Sequence, residues 1–277
     1  MAHVLIAGAG YVGLALARML REAGHQVTGL KRTPPVADHG IAWLAADVTR
    51  PETLTALPRD LDAVVCALAP AGRSEAAYRE IYLEGTANLL AALPSRDLPL
   101  LLVSSTGVYG QDAGDWVDEQ TPPAPSTATG RVLLEAEDRV LKARPQATVV
   151  RFSGIYGPGR TWLADRVRAG HPVQTDPPAY TNRIHRDDGA RVLAWLLSRR
   201  LAGDPLPPCL VASDDDPAPL AEVTAWIAEL LDVPAPPASP RDPAAGSNKR
   251  CRNELLKDLG YTFLFPSYRE GYEDMLD

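Results

Sequence analysis

The sequence predicts an α/β fold in which a doubly wound parallel sheet is joined to a smaller C-terminal lobe. Three observations carry this. Apolar runs of strand length alternate with helical stretches from residue 3 to about 151, the rhythm of successive βαβ units. Leu61 to Leu68 is almost unbroken in its apolarity, as expected of a parallel strand covered on both faces. Gly8, Gly10 and Gly13 stand between the first apolar run and the first helix. The 277 residues suit one large domain or a core plus a smaller lobe, and 45% hydrophobic content supplies an interior.

Taken in order, Val4-Leu5-Ile6 forms the first strand, and Leu14 to Arg18 reads as helix. Between them GAGYVG (8–13) has G-x-G-x-x-G spacing in the strand–turn–helix context that dinucleotide binding requires, so the fold is of Rossmann type. Gly8 allows the tight turn, Gly10 lets main-chain N–H groups approach a pyrophosphate, and Gly13 lets helix and strand pack closely. Tyr11 and Val12 lie in the helix start, whose N–H donors and positive dipole face the phosphates.

Gly24 ends that helix, and Gln26 to Leu30 is the second strand. Here, where an acidic side chain would meet a ribose 2′-hydroxyl, stand Lys31 and Arg32 and no carboxylate. A guanidinium can grip a 2′-phosphate through two charge-assisted hydrogen bonds, so NADP is the preferred cofactor and NAD the alternative. The competing reading is a solvated basic loop.

Ile41 to Ala46 is the third strand, closed by Asp47-Val48. The fourth, Leu61 to Leu68, ends in the small-residue loop from Ala69 to Gly72, where ligands of open α/β sheets bind. Ser74 to Leu93 is a long helix with its pattern broken at Gly85-Thr86. Leu98 to Val103, the fifth strand, runs into Ser104-Ser105-Thr106, hydroxyls that form either a turn or a site; their place at a central strand's tip favours a site. Gln111 to Gly130 is a polar, proline-rich loop, either a lid or a solvated excursion. Arg131 to Ala143 is an amphipathic helix, Thr148 to Arg151 a sixth strand, and Ile155 to Arg160 a turn. A helix over 187–199, a strand over 208–212, a helix over 220–231, a loop over 233–246 and a helix over 253–259 follow; an apolar stretch, Tyr261 to Phe265, comes after Gly260. The expected division is a dinucleotide-binding domain over 1–153 with returns at about 185–212, and a substrate lobe over 154–184 and 213–277.

The net charge of −7 argues against a nucleic-acid partner, and no apolar run has the length of a membrane span. No Lys or Arg precedes the first apolar run and Arg18 interrupts its far end, so it does not read as a secretory signal. Cys66, Cys209 and Cys251 are odd in number and widely spaced, which suits reduced packing thiols and a cytoplasmic location. No metal site is expected. Only four lysines occur: Lys31, Lys142, Lys249 and Lys257.

With these motifs in hand, the chain resembles the extended short-chain dehydrogenase/reductases, the NAD-dependent epimerase/dehydratase family. The resemblance rests on GAGYVG (8–13), ADV (46–48), GTANLL (85–90), VSSTGVYG (103–110), RFSGIYGPGR (151–160), NRIHRDD (182–188) and PSYREGY (266–272). It implies a cofactor domain, a substrate lobe, hydride transfer to or from nicotinamide, and small hydroxyl- or carbonyl-bearing substrates such as nucleotide sugars. It also implies a homodimer pairing through helices near 74–93 and 131–143. The resemblance adds Asp47, Val48, Leu68, Ala69 and Ser104 to the cofactor contacts.

The departures are specific. Ala7 stands where the first glycine of G-x-x-G-x-x-G would be. The family's catalytic Tyr-x-x-x-Lys pair falls on Thr129 and Leu133, and no tyrosine in the chain has a lysine four residues later. A phenol near its ordinary pKa of about 10 is a poor base at neutral pH, so the lysine matters to the chemistry. The helix asparagine falls on Tyr82, and Ser105 alone of the usual four is retained. Two readings follow. In one the chain is an oxidoreductase or epimerase in which Ser105 holds the substrate oxygen and Tyr82, Tyr109 or His185 moves the proton. Thr106, Tyr156, Arg160 and Arg183 then face the substrate, Arg160 as a grip on an anionic group. In the other it is a catalytically silent NADP(H) sensor.

Overall fold

The computed structural model describes residues 1–36, 40–241 and 246–276. The chain divides into two compact units: Met1–Ser105, Ala128–Arg151 and Ala190–Leu210 make the first; Thr106–Thr127, Phe152–Gly189 and Val211–Asp277 the second. The segment 106–127, expected as part of the dinucleotide-binding domain, falls in the second unit.

A seven-stranded parallel sheet organises the first. Its strands are β1 (His3–Ala7), β2 (Gln26–Lys31), β3 (Ala42–Ala45), β4 (Ala63–Cys66), β5 (Leu100–Ser105), β6 (Thr148–Phe152) and β7 (Cys209–Ala212). Across the sheet they run β3-β2-β1-β4-β5-β6-β7, and β1 pairs in parallel with both β2 and β4. The strand order therefore reverses at β1, the topological switch point at which open α/β sheets bind ligands. Every residue of β1, β4 and β6 is buried. Leu5, Val64, Leu100 and Val149 meet Leu54 and Leu89 in one apolar core.

The helices follow the expected rhythm with shifted ends. Tyr11–Glu22 opens on Gly10, and Ala128–Ala143 begins three residues before the expected Arg131. The long helix over 74–93 is three pieces: Glu75–Tyr78, a wider π-helical turn Arg79–Gly85, and Thr86–Ala92. Ser74 caps the first by accepting the Ala77 N–H.

In the second unit, short parallel strand pairs join Gly154–Tyr156 to Arg183–His185 and Asp115–Val117 to Lys249–Cys251. The helices Trp162–Arg168, Leu220–Leu230 and Tyr268–Leu276 enclose a second core of Ala164, Val223, Ile227, Tyr268 and Tyr272. The last helix was not expected from sequence, and the loop over 111–130 contains the strand Asp115–Val117. Of the loop expected over 233–246, residues 242–245 lie outside the described residues, as does Asp277. No helix among the described residues is long and apolar enough to cross a membrane.

Candidate functional site

The switch point holds a cleft of about 260 Å³ lined by Gly8 and Gly10 of the glycine turn, by Lys31, Arg32 and Thr33 after β2, by Asp47 and Val48 after β3, and by Leu68 and Ala69 after β4. Eight of the residues expected to bind cofactor are thus brought together: Gly8, Gly10, Lys31, Arg32, Asp47, Val48, Leu68 and Ala69. Thr33 and Ile81 join them without having been expected.

The turn's shape explains its glycines. Gly8 has φ of +91°, and a Cβ on it would stand 2.4 Å from the Ala67 carbonyl oxygen. A Cβ on Gly13 would stand 2.4 Å from the Gly8 carbonyl oxygen, so Gly13 serves packing and does not line the cleft. Gly10 differs. The nearest atom to a Cβ there is 3.9 Å away, so a side chain would project into open space. Leu14 N–H donates to the Gly10 carbonyl at 2.8 Å and opens the helix, so the first-turn amides of Tyr11, Val12 and Gly13 form its N-terminal, positive end. A diphosphate fits such a cradle.

Around the rim, Lys31, Arg32 and Thr33 are exposed, and neither cation makes an ion pair among the described residues. Asp47 is held in place: its Oδ1 accepts from the Thr49 N–H at 3.0 Å and the Thr49 hydroxyl at 2.9 Å. No side chain needs to be invented to seat a pyridine nucleotide here.

Ser104 does not line this cleft. Its hydroxyl donates to Glu137 Oε1 at 2.5 Å, and Glu137 is gripped by Arg151, whose Nη2 lies 2.6 Å from Oε2. The three are 6%, 3% and 6% exposed. This buried pair underpins the end of β5, and Ser105, the next residue, is half-buried.

The proton-transfer candidates are dispersed. Tyr82 lies on the groove lined by Leu83, Ala136 and Arg139, its ring 5.3 Å from that of Tyr78, and Ile81 rather than Tyr82 lines the cofactor cleft. Burial pushes its phenol up, further from service as a base. Tyr109 is fully buried, and its hydroxyl donates to the Asp118 carbonyl at 2.7 Å. His185 is fully buried beside Tyr156 and Phe265, their ring centroids 5.3 and 4.0 Å away, and burial lowers its pKa.

Among the substrate candidates, Tyr156 and Arg183 join His185 in one buried polar cluster of the second unit. Tyr156 also stacks on Tyr272 at 4.9 Å, and Arg183 hydrogen-bonds Tyr272 and lies 6.0 Å from the Tyr268 ring. His185 Nε2, Arg183 Nη1, Asp214 Oδ2 and the Tyr268 hydroxyl have no partner among the described residues. Arg160 is exposed and donates to the Ile155 carbonyl at 3.0 Å. Thr106 is buried and bonds the Cys251 thiol. Asp188 of NRIHRDD binds the Leu264 and Phe265 amides at 2.9 and 2.7 Å and the Tyr261 hydroxyl at 2.8 Å, anchoring the apolar stretch 261–265.

Comparison with known proteins places this geometry. The profile of the NAD dependent epimerase/dehydratase family matches residues 4–205. The 3-diazoavenalumate denitrifying reductase of a Streptomyces species is 29% identical over 315 residues, covering 97% of this chain and 98% of its own. A solved Methylobacillus flagellatus structure, described as an NAD-dependent epimerase/dehydratase, is 37% identical with a TM-score of 0.84 over 99% of this chain and 97% of its own. The Thermus thermophilus UDP-glucose 4-epimerase, solved with NAD, shares the fold at a TM-score of 0.81 and 20% identity, covering 100% and 98% of the two chains. With its switch-point cleft, its glycine turn and this match along most of its length, the chain belongs to the NAD-dependent epimerase/dehydratase family.

Proposed function

We propose that this chain is an NADP(H)-dependent oxidoreductase or epimerase acting on a small hydroxyl- or carbonyl-bearing substrate, nucleotide sugars included. The observation that carries the reading is the wall of the cleft after β2, where Lys31, Arg32 and Thr33 offer cationic and hydroxyl donors and no carboxylate. A 2′-phosphate suits that wall; a 2′-hydroxyl would leave both cations without a partner. The Streptomyces relative is named a reductase and the Thermus structure was solved with NAD, which supports nicotinamide chemistry in this fold.

A bound nicotinamide cofactor supplies or accepts the hydride. The chain's part is to hold and to exclude: amides of the glycine turn grip the diphosphate, Arg32 and Lys31 the 2′-phosphate, and Ser105 the substrate oxygen. Arg160 is available to an anionic substrate group. The helices near 74–93 and 131–143 pair two copies of the chain, which light scattering would report as twice the monomer mass.

A second reading, a silent NADP(H) sensor, is favoured by one observation. Leu133, where the family's lysine belongs, is an apolar side chain only 6% exposed. Titration with NADPH followed by a panel of aldehydes, ketones and nucleotide sugars separates the two. Oxidation of NADPH that Ser105→Ala abolishes establishes the enzyme; tight binding with no turnover on any class establishes the sensor.

A further inference from the structure

Of the four lysines, Lys249 alone is buried. Its strand, Lys249–Cys251, turns alternate residues to opposite sides. Arg250 lies between Trp116 and Tyr180, 4.7 and 4.6 Å from the ring centroids, and Arg252 lies over Trp116 at 5.2 Å. Lys249 and Cys251 take the other side, 6% and 2% exposed. The strand is fixed there by Asn182, whose Nδ2 donates to the Lys249 carbonyl at 2.9 Å and whose Oδ1 accepts the Cys251 N–H at 2.6 Å.

On that inner side, the Cys251 thiol bonds the hydroxyl of Thr106, the residue after Ser105. The Lys249 ammonium donates to Ser247 Oγ at 2.7 Å. An ammonium has three protons to give, and among the described residues Lys249 has this one partner and no ion pair. Neighbouring charges do not compensate. Burial holds the Cys251 thiol up at about 11, so it is neutral at physiological pH. Glu119 Oε1 accepts the Val211 N–H at 2.6 Å, Asp214 is shifted toward its neutral form by burial, and Asp115, the strand neighbour of Lys249, is exposed. Burial accordingly lowers the Lys249 pKa toward the working range of a proton donor. A structural role would be met by an apolar chain of the same length without the cost of burying a charge.

We propose that Lys249 is the proton donor of the reaction, its buried ammonium beside Thr106 protonating the substrate oxygen. This rests on the reductase reading above and supplies the acid that Thr129 and Leu133 cannot. The substrate's carbonyl carbon gains a hydride from the reduced nicotinamide, the C=O π pair moves to oxygen, and that oxygen takes a proton from Nζ. An alcohol, the oxidised cofactor and a neutral amine remain, and solvent returns the proton to the amine.

The test uses Lys249→Met, which keeps an apolar chain, and Lys249→Arg, which keeps the charge but releases no proton. Both are expected to bind NADPH like the wild type and to lose at least about a hundredfold in kcat. A retained kcat in either variant overturns the proposal; recovery in Lys249→Arg alone makes the residue a charge grip. A readout independent of turnover is the Cε chemical shift of 13C-lysine-labelled protein, where four lysines give four signals. Lys249 is expected to titrate below the other three, and titration alongside them overturns the proposal even if Lys249→Met fails to fold. Wild-type protein that binds no NADPH, or reduces no carbonyl in the panel, overturns the underlying reading instead.

Discussion

At the level of single residues, the three glycines of one turn separate into two kinds. Gly8 and Gly13 have main-chain oxygens 2.4 Å from where a Cβ would sit, so alanine at either position forces the turn apart. Gly10 has free space in front of it, and that space is where a diphosphate would lie. Gly10→Val should therefore abolish NADPH binding with only a modest change in Tm, as read by calorimetry and thermal melting on one sample. Arg32→Ala should weaken NADPH by roughly tenfold to a hundredfold while changing NADH by less than about threefold, the loss expected for a charge-assisted contact. Equal losses for the two cofactors would remove the case for a 2′-phosphate.

Among the elements, the π-helical turn Arg79–Gly85 decides which side chain meets the cofactor cleft. The broken pattern at Gly85-Thr86 was visible in the sequence, but not its consequence. The Thr86 hydroxyl lies 3.5 Å from the Ile81 carbonyl, and a Cβ on Gly85 would stand 2.7 Å from Val48 Cγ2. Close packing of the turn there leaves Ile81 toward the cleft and Tyr82 toward the groove with Tyr78. The second such device joins β5, β6 and the helix Ala128–Ala143 through Ser104, Glu137 and Arg151. Glu137→Gln leaves the Arg151 charge buried without its counterion, and removing one partner of such a pair costs about 3 kcal/mol. Denaturant unfolding should show that loss, while Ser104→Ala, which spares the ion pair, should cost about 1 kcal/mol.

Over the whole molecule, the buried polar cluster of the second unit makes stability depend on pH. Asp214 is 1% exposed, and burial raises its pKa well above the usual carboxylate value despite the opposing charge of Arg183. A carboxyl whose folded pKa is raised contributes stability that is complete below its unfolded pKa of about 3.9 and is lost as pH rises through the folded value. His185 has the opposite sense: its lowered folded pKa contributes stability that is present above about 6.5 and is lost as pH falls below that value. Asp214→Asn should remove the decline on the alkaline side of the carboxylate range and leave the His185 limb in place, as followed by urea unfolding between about pH 4 and 8. An unchanged alkaline slope would place the titrating group elsewhere.

What the sequence by itself determined is whatever depends on neighbours along the chain. The apolar runs became β1, β4 and β5, the spacing of Gly8, Gly10 and Gly13 became the turn, and the basic pair Lys31-Arg32 reached the cleft because it directly follows a strand of the switch point. Helix ends and the helix Tyr268–Leu276 were less legible, because Tyr268 and Tyr272 are buried by contacts with Val223 and Ile227, far away in the chain. Only the tertiary structure decided the states of the polar side chains. Tyr109 and Ser104 looked available in the motif VSSTGVYG, yet their hydroxyls are spent on Asp118 and Glu137. Lys249 looked like any solvated lysine, yet it is buried without a counterion among the described residues. Strand and turn propensities are written locally, whereas the charge, partner and reach of a side chain are set by what long-range packing brings beside it.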